Sequence, residues 1–184
     1  RLQMGVFTVT NPPRDSSLDG SIISHEYAHG ISNRLTGGPA NSTALDALQS
    51  GGMGEGWSDW WGLVLTQKPG DTRDTAQEFG QWVLGGFGVR RFPYSYDMAV
   101  NGLTLGDFNG FDPITGFPNS EVHNAGEIWA QVLWDLHWNM IDRYGYDPVL
   151  YYGDGGNNMA MQLIFAGMKL PPANPSFLEA RNAV

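Results

Sequence analysis

The sequence contains no cysteine among its 184 residues. That absence excludes a disulfide scaffold and any thiolate zinc site, and it leaves the compartment open. Basic residues are few: ten Lys and Arg stand against nineteen Asp and Glu, a formal net charge of −9. A nucleic-acid partner needs a basic stripe to neutralise phosphates, and an anionic membrane surface attracts the same sign. Both partners are therefore excluded. No apolar run approaches the ~20 residues of a membrane-spanning helix. The longest runs, around Leu63–Leu65 and Leu163–Ala166, are of core size. Neither an initiator Met nor a signal peptide precedes Arg1, so a processed product or an excised piece is expected.

What is present points to a packed core. Charged residues make up 16% and aromatics 12%, which favours burial over disorder. At roughly 100–200 residues per domain, this is one domain or a large piece of one. The 25 glycines predict many turns and close backbone approaches.

Leu2–Thr10 alternates and is β-branched, which predicts a strand ended by Asn11, Pro12 and Pro13. Asp19 or Ser21 can cap a helix running to about Leu35, stopped by Gly37–Gly38. Ala44–Leu48 reads as a helical turn that Gly51–Gly52 interrupt, followed by a Trp-rich helix over Gly54–Thr66. Thr75–Leu84 predicts a third helix, and Gly85–Ser120 a long ordered loop of the kind that is usually functional. Glu121–Tyr144 is the longest helical pattern, and shorter helices follow at Asn158–Met168 and Ser176–Ala183. The fold class is mainly α with one leading strand, which needs partner strands that the chain does not obviously supply.

Chemistry concentrates in His25-Glu26-Tyr27-Ala28-His29. Two histidines at i and i+4 on a helix point the same way, one turn apart. That spacing suits Zn²⁺, which accepts neutral imidazole nitrogens at about 2.0–2.1 Å. Glu26 beside the first ligand can reach a zinc-bound water without being a ligand, the general-base placement of HExxH metalloproteases. With this composition such a motif arises by chance at roughly three in a thousand. The plainer reading is a helix with two partly buried, hydrogen-bonded histidines. A catalytic zinc site wants a third protein ligand and an open position. Gly54-Glu55-Gly56-Trp57-Ser58-Asp59 offers Glu55 as that ligand. Asp59, again at i+4, can then accept the Nδ1–H of a ligating histidine and fix its tautomer.

These residues resemble the gluzincin arrangement of thermolysin-like proteases, and most closely the fungalysin family, peptidase family M36. The resemblance runs through the zinc helix from Asp19 to Gly38, the segment from Ser50 to Asp59, and Glu121-Val122-His123-Asn124-Ala125-Gly126-Glu127-Ile128-Trp129-Ala130. It reaches the tail at Gly156–Ala160 and Met168–Leu170. It implies a secreted, zinc-dependent endopeptidase made with a pro-segment and built from two lobes around a cleft. Residues 1–184 would be the zinc helix and helical C-terminal lobe, with residues 1–18 a strand and loop leading into that helix. The β-rich N-terminal lobe and the pro-segment would lie outside this chain and be its partners, with a protein or peptide as substrate. By the same resemblance His25, His29 and Glu55 are the zinc ligands, Glu26 is the catalytic base and Asp59 the carboxylate behind a ligand. His123 matches the histidine that stabilises the oxyanion. Thermolysin places an aspartate five positions before that histidine, where this sequence has Pro118, so Glu121 is the candidate to orient His123. Tyr94 and Tyr96 are weak candidates for thermolysin's active-site tyrosine.

Other features are weaker. Asp107-Phe108-Asn109-Gly110-Phe111-Asp112 is oxygen-rich and could hold Ca²⁺, but it lacks EF-hand spacing and reads by default as a polar turn. His137 and most of the seven tryptophans read as core, and Asn41-Ser42-Thr43 matches a glycosylation sequon. The alternatives to a protease are a zinc-binding but non-catalytic lobe and, with little support, a Trp-rich glycan-binding module.

Overall fold

A computed structural model of the protein describes residues 2–113 and 115–184; Arg1 and Ile114 lie outside the described residues. Among them the chain forms helices α1 (Gly20–Leu35), α2 (Leu48–Thr66), α3 (Val122–Tyr144), α4 (Gly156–Gly167) and α5 (Phe177–Ala183). The fold is mainly α, as expected. Two short strands, β1 (Val6–Phe7) and β2 (Arg14–Asp15), pair antiparallel, with Val6 opposite Asp15 and Phe7 opposite Arg14.

The leading strand is therefore much shorter than Leu2–Thr10, and it finds a partner within the chain. Pro12 and Pro13 lack the N–H that would extend the ladder. Ser16 closes the ribbon: its N–H and hydroxyl donate to Gly5 O at 2.9 and 2.8 Å, and its hydroxyl accepts from Gly5 N–H at 3.0 Å.

α2 packs against both α1 and α3. It runs unbroken through Gly51–Gly52, contrary to the expected interruption. A helix-interior glycine costs about 1 kcal/mol relative to alanine. Here the cost is offset by close approach: a Cβ on Gly52 would lie 2.6 Å from Ala125 Cβ on α3. Gly126 on α3 returns the contact, where a Cβ would lie 2.5 Å from Glu55 Cβ. The α2 start has no side-chain cap of its own. Asn174, from the segment before α5, serves instead, its Oδ1 accepting from Asp46 N–H, Ala47 N–H and the Ser50 hydroxyl.

The core is where the tryptophans were expected. Trp57, Trp60, Leu63 and Val64 of α2 meet Trp129, Leu133 and Trp134 of α3 and Ile164 of α4. Trp57 meets Trp129 edge-on at 6.0 Å, and Trp129 lies flat on Phe177 of α5 at 5.5 Å. His137 is fully buried, stacked on Trp134, with Nε2 2.9 Å from Gln67 Oε1.

The predicted helix over Thr75–Leu84 does not form. Gln77 instead pairs with Tyr94 in an isolated antiparallel bridge, two hydrogen bonds of 2.9 Å. Gly80 takes φ +67, outside the helical region. The N–H groups of this segment go to α1: Gly80 donates to the Ser21 hydroxyl and Trp82 to Asp19 Oδ2, both at 3.0 Å. Tertiary partners thus override a modest helical propensity. Beyond it, the described residues of 85–120 hold one short 3₁₀ turn, Leu105–Asn109, and an isolated bridge between Phe111 and Pro118, and otherwise keep the irregular character expected.

Candidate metal centre

Asp19 caps α1: its Oδ1 accepts from Ser21 N–H at 3.1 Å and from the Ser21 hydroxyl at 2.6 Å. Its other oxygen holds Trp82, so the start of α1 and residues 80–83 are fixed together. One turn on, His25 is buried and His29 half-buried, with Nε2 atoms 3.1 Å apart. The i, i+4 spacing brings both rings to one place, as the sequence predicts.

Glu55 comes from the middle of α2. Its Oε2 is 3.2 Å from His25 Nε2, and its Oε1 is 3.4 Å from His29 Nε2. Ligand atoms of His25, His29 and Glu55 all lie within 4.8 Å of one another, a group able to hold a metal ion. The helix crossing at Gly126 brings the α3 backbone close to Glu55 Cβ.

Asp59, one turn further along α2, is fully buried. Its Oδ1 is 2.7 Å from His25 Nδ1. The same carboxylate accepts from Arg90 Nε at 2.7 Å, Arg90 Nη2 at 2.8 Å and the Tyr94 hydroxyl at 2.5 Å. Arg90 Nη2 also reaches Glu55 Oε2 at 3.4 Å. Four donors so satisfy a buried charge that would otherwise be prohibitive.

The electrostatics fit a cation. Burial drives the carboxyl of Glu55 upwards, but hydrogen bonding and charge from His25, with charge from His29 and His123, hold it down to about 2. Asp59 also lies well below its ordinary value, because Arg90 and His25 outweigh burial. Burial lowers His25, but hydrogen bonds to Asp59 and Glu55 prevail and hold it up to about 9. Burial and the His25 charge depress His29. With His25 Nδ1 turned to Asp59, His25 Nε2, His29 Nε2 and Glu55 face one another. The residues fit zinc: two imidazoles, one carboxylate and a carboxylate behind the first histidine.

Glu26 is exposed and lies outside the three-residue group. It lines two cavities. One, of about 280 Å³, also touches His25, His123, Arg90, Ile22, Phe79 and Val89. The other, of about 1100 Å³, runs past His29, Tyr27, Arg34 and Asp46. His123, in the first turn of α3, places Nε2 3.7 Å from Glu55 Oε2. Glu121 caps α3, accepting from His123 N–H at 3.1 Å, while its Oε1 meets His123 Nδ1 at 2.7 Å. Asp59 and His123 thus contact the His25, His29 and Glu55 group, Glu121 is paired with His123, and Glu26 lines the cavity that His25 and His123 share.

Tyr94 is fully buried on Asp59, and the Tyr96 hydroxyl bonds Asn139 at 3.2 Å, so neither tyrosine lines the cavities described. Asp107 accepts from the Thr104 N–H and hydroxyl and caps the 3₁₀ turn, as the default polar turn predicts. The sequence reading overlooked Arg90, Arg91 and Glu127. A signal existed: Arg90 and Arg91 are the only basic residues between 85 and 120.

The family model for fungalysin metallopeptidase (M36) matches residues 1–184. The chain is 42% identical to extracellular metalloproteinase 2 of Trichophyton rubrum. It is 44% identical to extracellular metalloproteinase mep of Aspergillus fumigatus and to extracellular metalloproteinase 1 of Arthroderma otae. Each alignment covers 100% of this chain and 29% of the relative, so the chain spans less than a third of the curated relatives it matches. From the match over its whole length, the chain belongs to the fungalysin (M36) metallopeptidase family.

Proposed function

We propose that the full-length protein containing this chain is a secreted, zinc-dependent endopeptidase. The observation that carries the reading is the convergence of His25, His29 and Glu55 beside a cavity that Glu26 and His123 share. Relatives named extracellular metalloproteinases support both the chemistry and the location. The substrate is a protein or peptide. The same reading gives the chain two partners outside its own residues, an N-terminal lobe that closes the cleft and a pro-segment.

His25, His29 and Glu55 would hold zinc, which when bound polarises a carbonyl and lowers the pKa of water towards about 7. Glu26 accepts a proton from the attacking water at its exposed carboxylate and delivers it to the leaving amine. His123 Nε2 donates to the oxygen on which negative charge develops; one such donor is worth roughly 2.7–4 kcal/mol. For this step His123 is the imidazolium, with an N–H on each ring nitrogen: Glu121 accepts the one on Nδ1 and leaves Nε2–H to face the substrate. Asp59 fixes the tautomer of His25, and Arg90 and Tyr94 fix Asp59. The isolated chain, at 29% of its relatives' length, is better read as a metal-binding lobe without activity of its own.

Casein hydrolysis by the full-length protein tests the reading. Glu26→Gln keeps stoichiometric zinc and loses nearly all cleavage, and His29→Ala loses zinc. Chelator-insensitive cleavage, or a Glu26→Gln variant at wild-type rate, would overturn it.

A further inference from the structure

Arg91 points away from its neighbour Arg90 and reaches the start of α3. Its N–H and Nε donate to the two Glu127 oxygens at 2.9 and 2.8 Å. Its Nη1 donates to Asn119 Oδ1 at 2.5 Å and its Nη2 to the Asn124 carbonyl at 3.0 Å. Asn119 and Asn124 bracket Glu121 and His123. Glu127 lies four residues beyond His123 and is 3% exposed. His123 itself is 55% exposed at its side chain, so packing does not fix it. Its ring is oriented by Glu121, and its place is set by the backbone of residues 119–124, which Arg91 holds.

The next residue back, Arg90, is bonded to Asp59 and Glu55. Consecutive Cα atoms stand 3.8 Å apart, so one dipeptide ties the candidate metal ligand on α2 to the turn carrying His123. We propose that the buried Arg91–Glu127 pair is a positioning device that sets His123 over Glu55. This rests on the endopeptidase reading above. Stability alone does not explain the pair, because a buried ion pair replaced by apolar residues of similar volume is often neutral or stabilising. Register is what an apolar replacement would not preserve: methionines cannot hold Asn119 and the Asn124 carbonyl.

The test is a cycle in the full-length protein with Glu127→Gln, the double variant Arg91→Met/Glu127→Met, and His123→Ala. A displacement of about 1 Å can cost roughly 100-fold in rate. Both pair variants should lower kcat by roughly 10- to 100-fold, with KM within about twofold and zinc content unchanged. In the His123→Ala background the same changes should cost less than about twofold more, because the pair acts through His123. Amide exchange at His123 and Asn124 should quicken in Glu127→Gln whatever the activity. An equal loss with and without His123, or pair variants with wild-type kcat, would overturn the proposal alone. Wild-type cleavage that ignores chelators, or His123→Ala with undiminished kcat, would bring down the underlying reading and the proposal with it.

Discussion

Asp59→Asn removes one charge and almost no volume, and its consequences follow from which oxygen faces which donor. His25 Nδ1 and Arg90 Nη2 meet Oδ1; Arg90 Nε and the Tyr94 hydroxyl meet Oδ2. An asparagine keeps one acceptor and turns an NH₂ towards the other pair of donors. With NH₂ at the first position, His25 loses the acceptor that fixes its tautomer. At the second, Arg90 and Tyr94 lose theirs. In either case the Arg90 guanidinium, whose side chain is 9% exposed, loses its closest counter-charge. Breaking a buried pair on one side costs roughly 3–5 kcal/mol. Losing the carboxylate behind a metal-binding histidine costs roughly 10- to 100-fold in metal affinity. Urea unfolding and zinc competition against a chelator on the full-length protein read the two effects. Tyr94→Phe is the control, since it deletes one hydroxyl and strands no charge, at about 1 kcal/mol. An Asp59→Asn variant as stable as Tyr94→Phe, with unchanged zinc affinity, would refute the reasoning.

Two further outcomes are expected. Gly126→Ala places a Cβ 2.5 Å from Glu55 Cβ and 3.1 Å from both Gly52 O and Gly56 N, so α2 and α3 must separate. Overpacking of this kind costs roughly 1–3 kcal/mol, read as a lower urea midpoint, and zinc affinity should fall with it because Glu55 moves. Burial holds His137 down to about 3, against an ordinary 6.5 when unfolded. The unfolded chain therefore takes up a proton that the fold refuses, and this group costs about 1.4 kcal/mol of stability per pH unit below 6.5, until pH nears 3. Urea unfolding of His137→Gln should lack that part of the acid slope between pH 6.5 and 5, and an unchanged slope would contradict the assignment.

The helices were legible where periodicity and end signals agree. Asp19 caps α1, Glu121 caps α3, and Gly37 and Gly38 end α1 at φ +76 and +88. The metal-site candidates were legible for the same reason: i, i+4 spacing on a helix fixes direction without knowledge of the rest. Residues 75–84 were misread because their hydrogen-bond partners, Tyr94, Ser21 and Asp19, are distant in sequence. Gly51–Gly52 were misread because a helix break and a close helix crossing look alike until the partner helix is known. Glu127 hid among the buried residues of α3, and only its distant partner Arg91 explains an acid there.

Arg90 and Arg91 show how an irregular segment can hold three helices in register. A charge in a Trp-lined interior cannot be left unpaired, so each buried carboxylate fixes the position of whatever donates to it. Asp59 on α2 draws His25 from α1 and Arg90 and Tyr94 from the irregular segment; Glu127 on α3 draws Arg91 from that same segment. Shifting any one helix leaves a donor or a carboxylate bare, at a cost of several kcal/mol. The partners that make the fold specific are therefore also the ones that align His25, Glu55 and His123. Substitutions at Asp59 or Arg90 should consequently move stability and metal affinity together. Those at Glu26, exposed and bonded to none of these groups, should move rate and leave both unchanged.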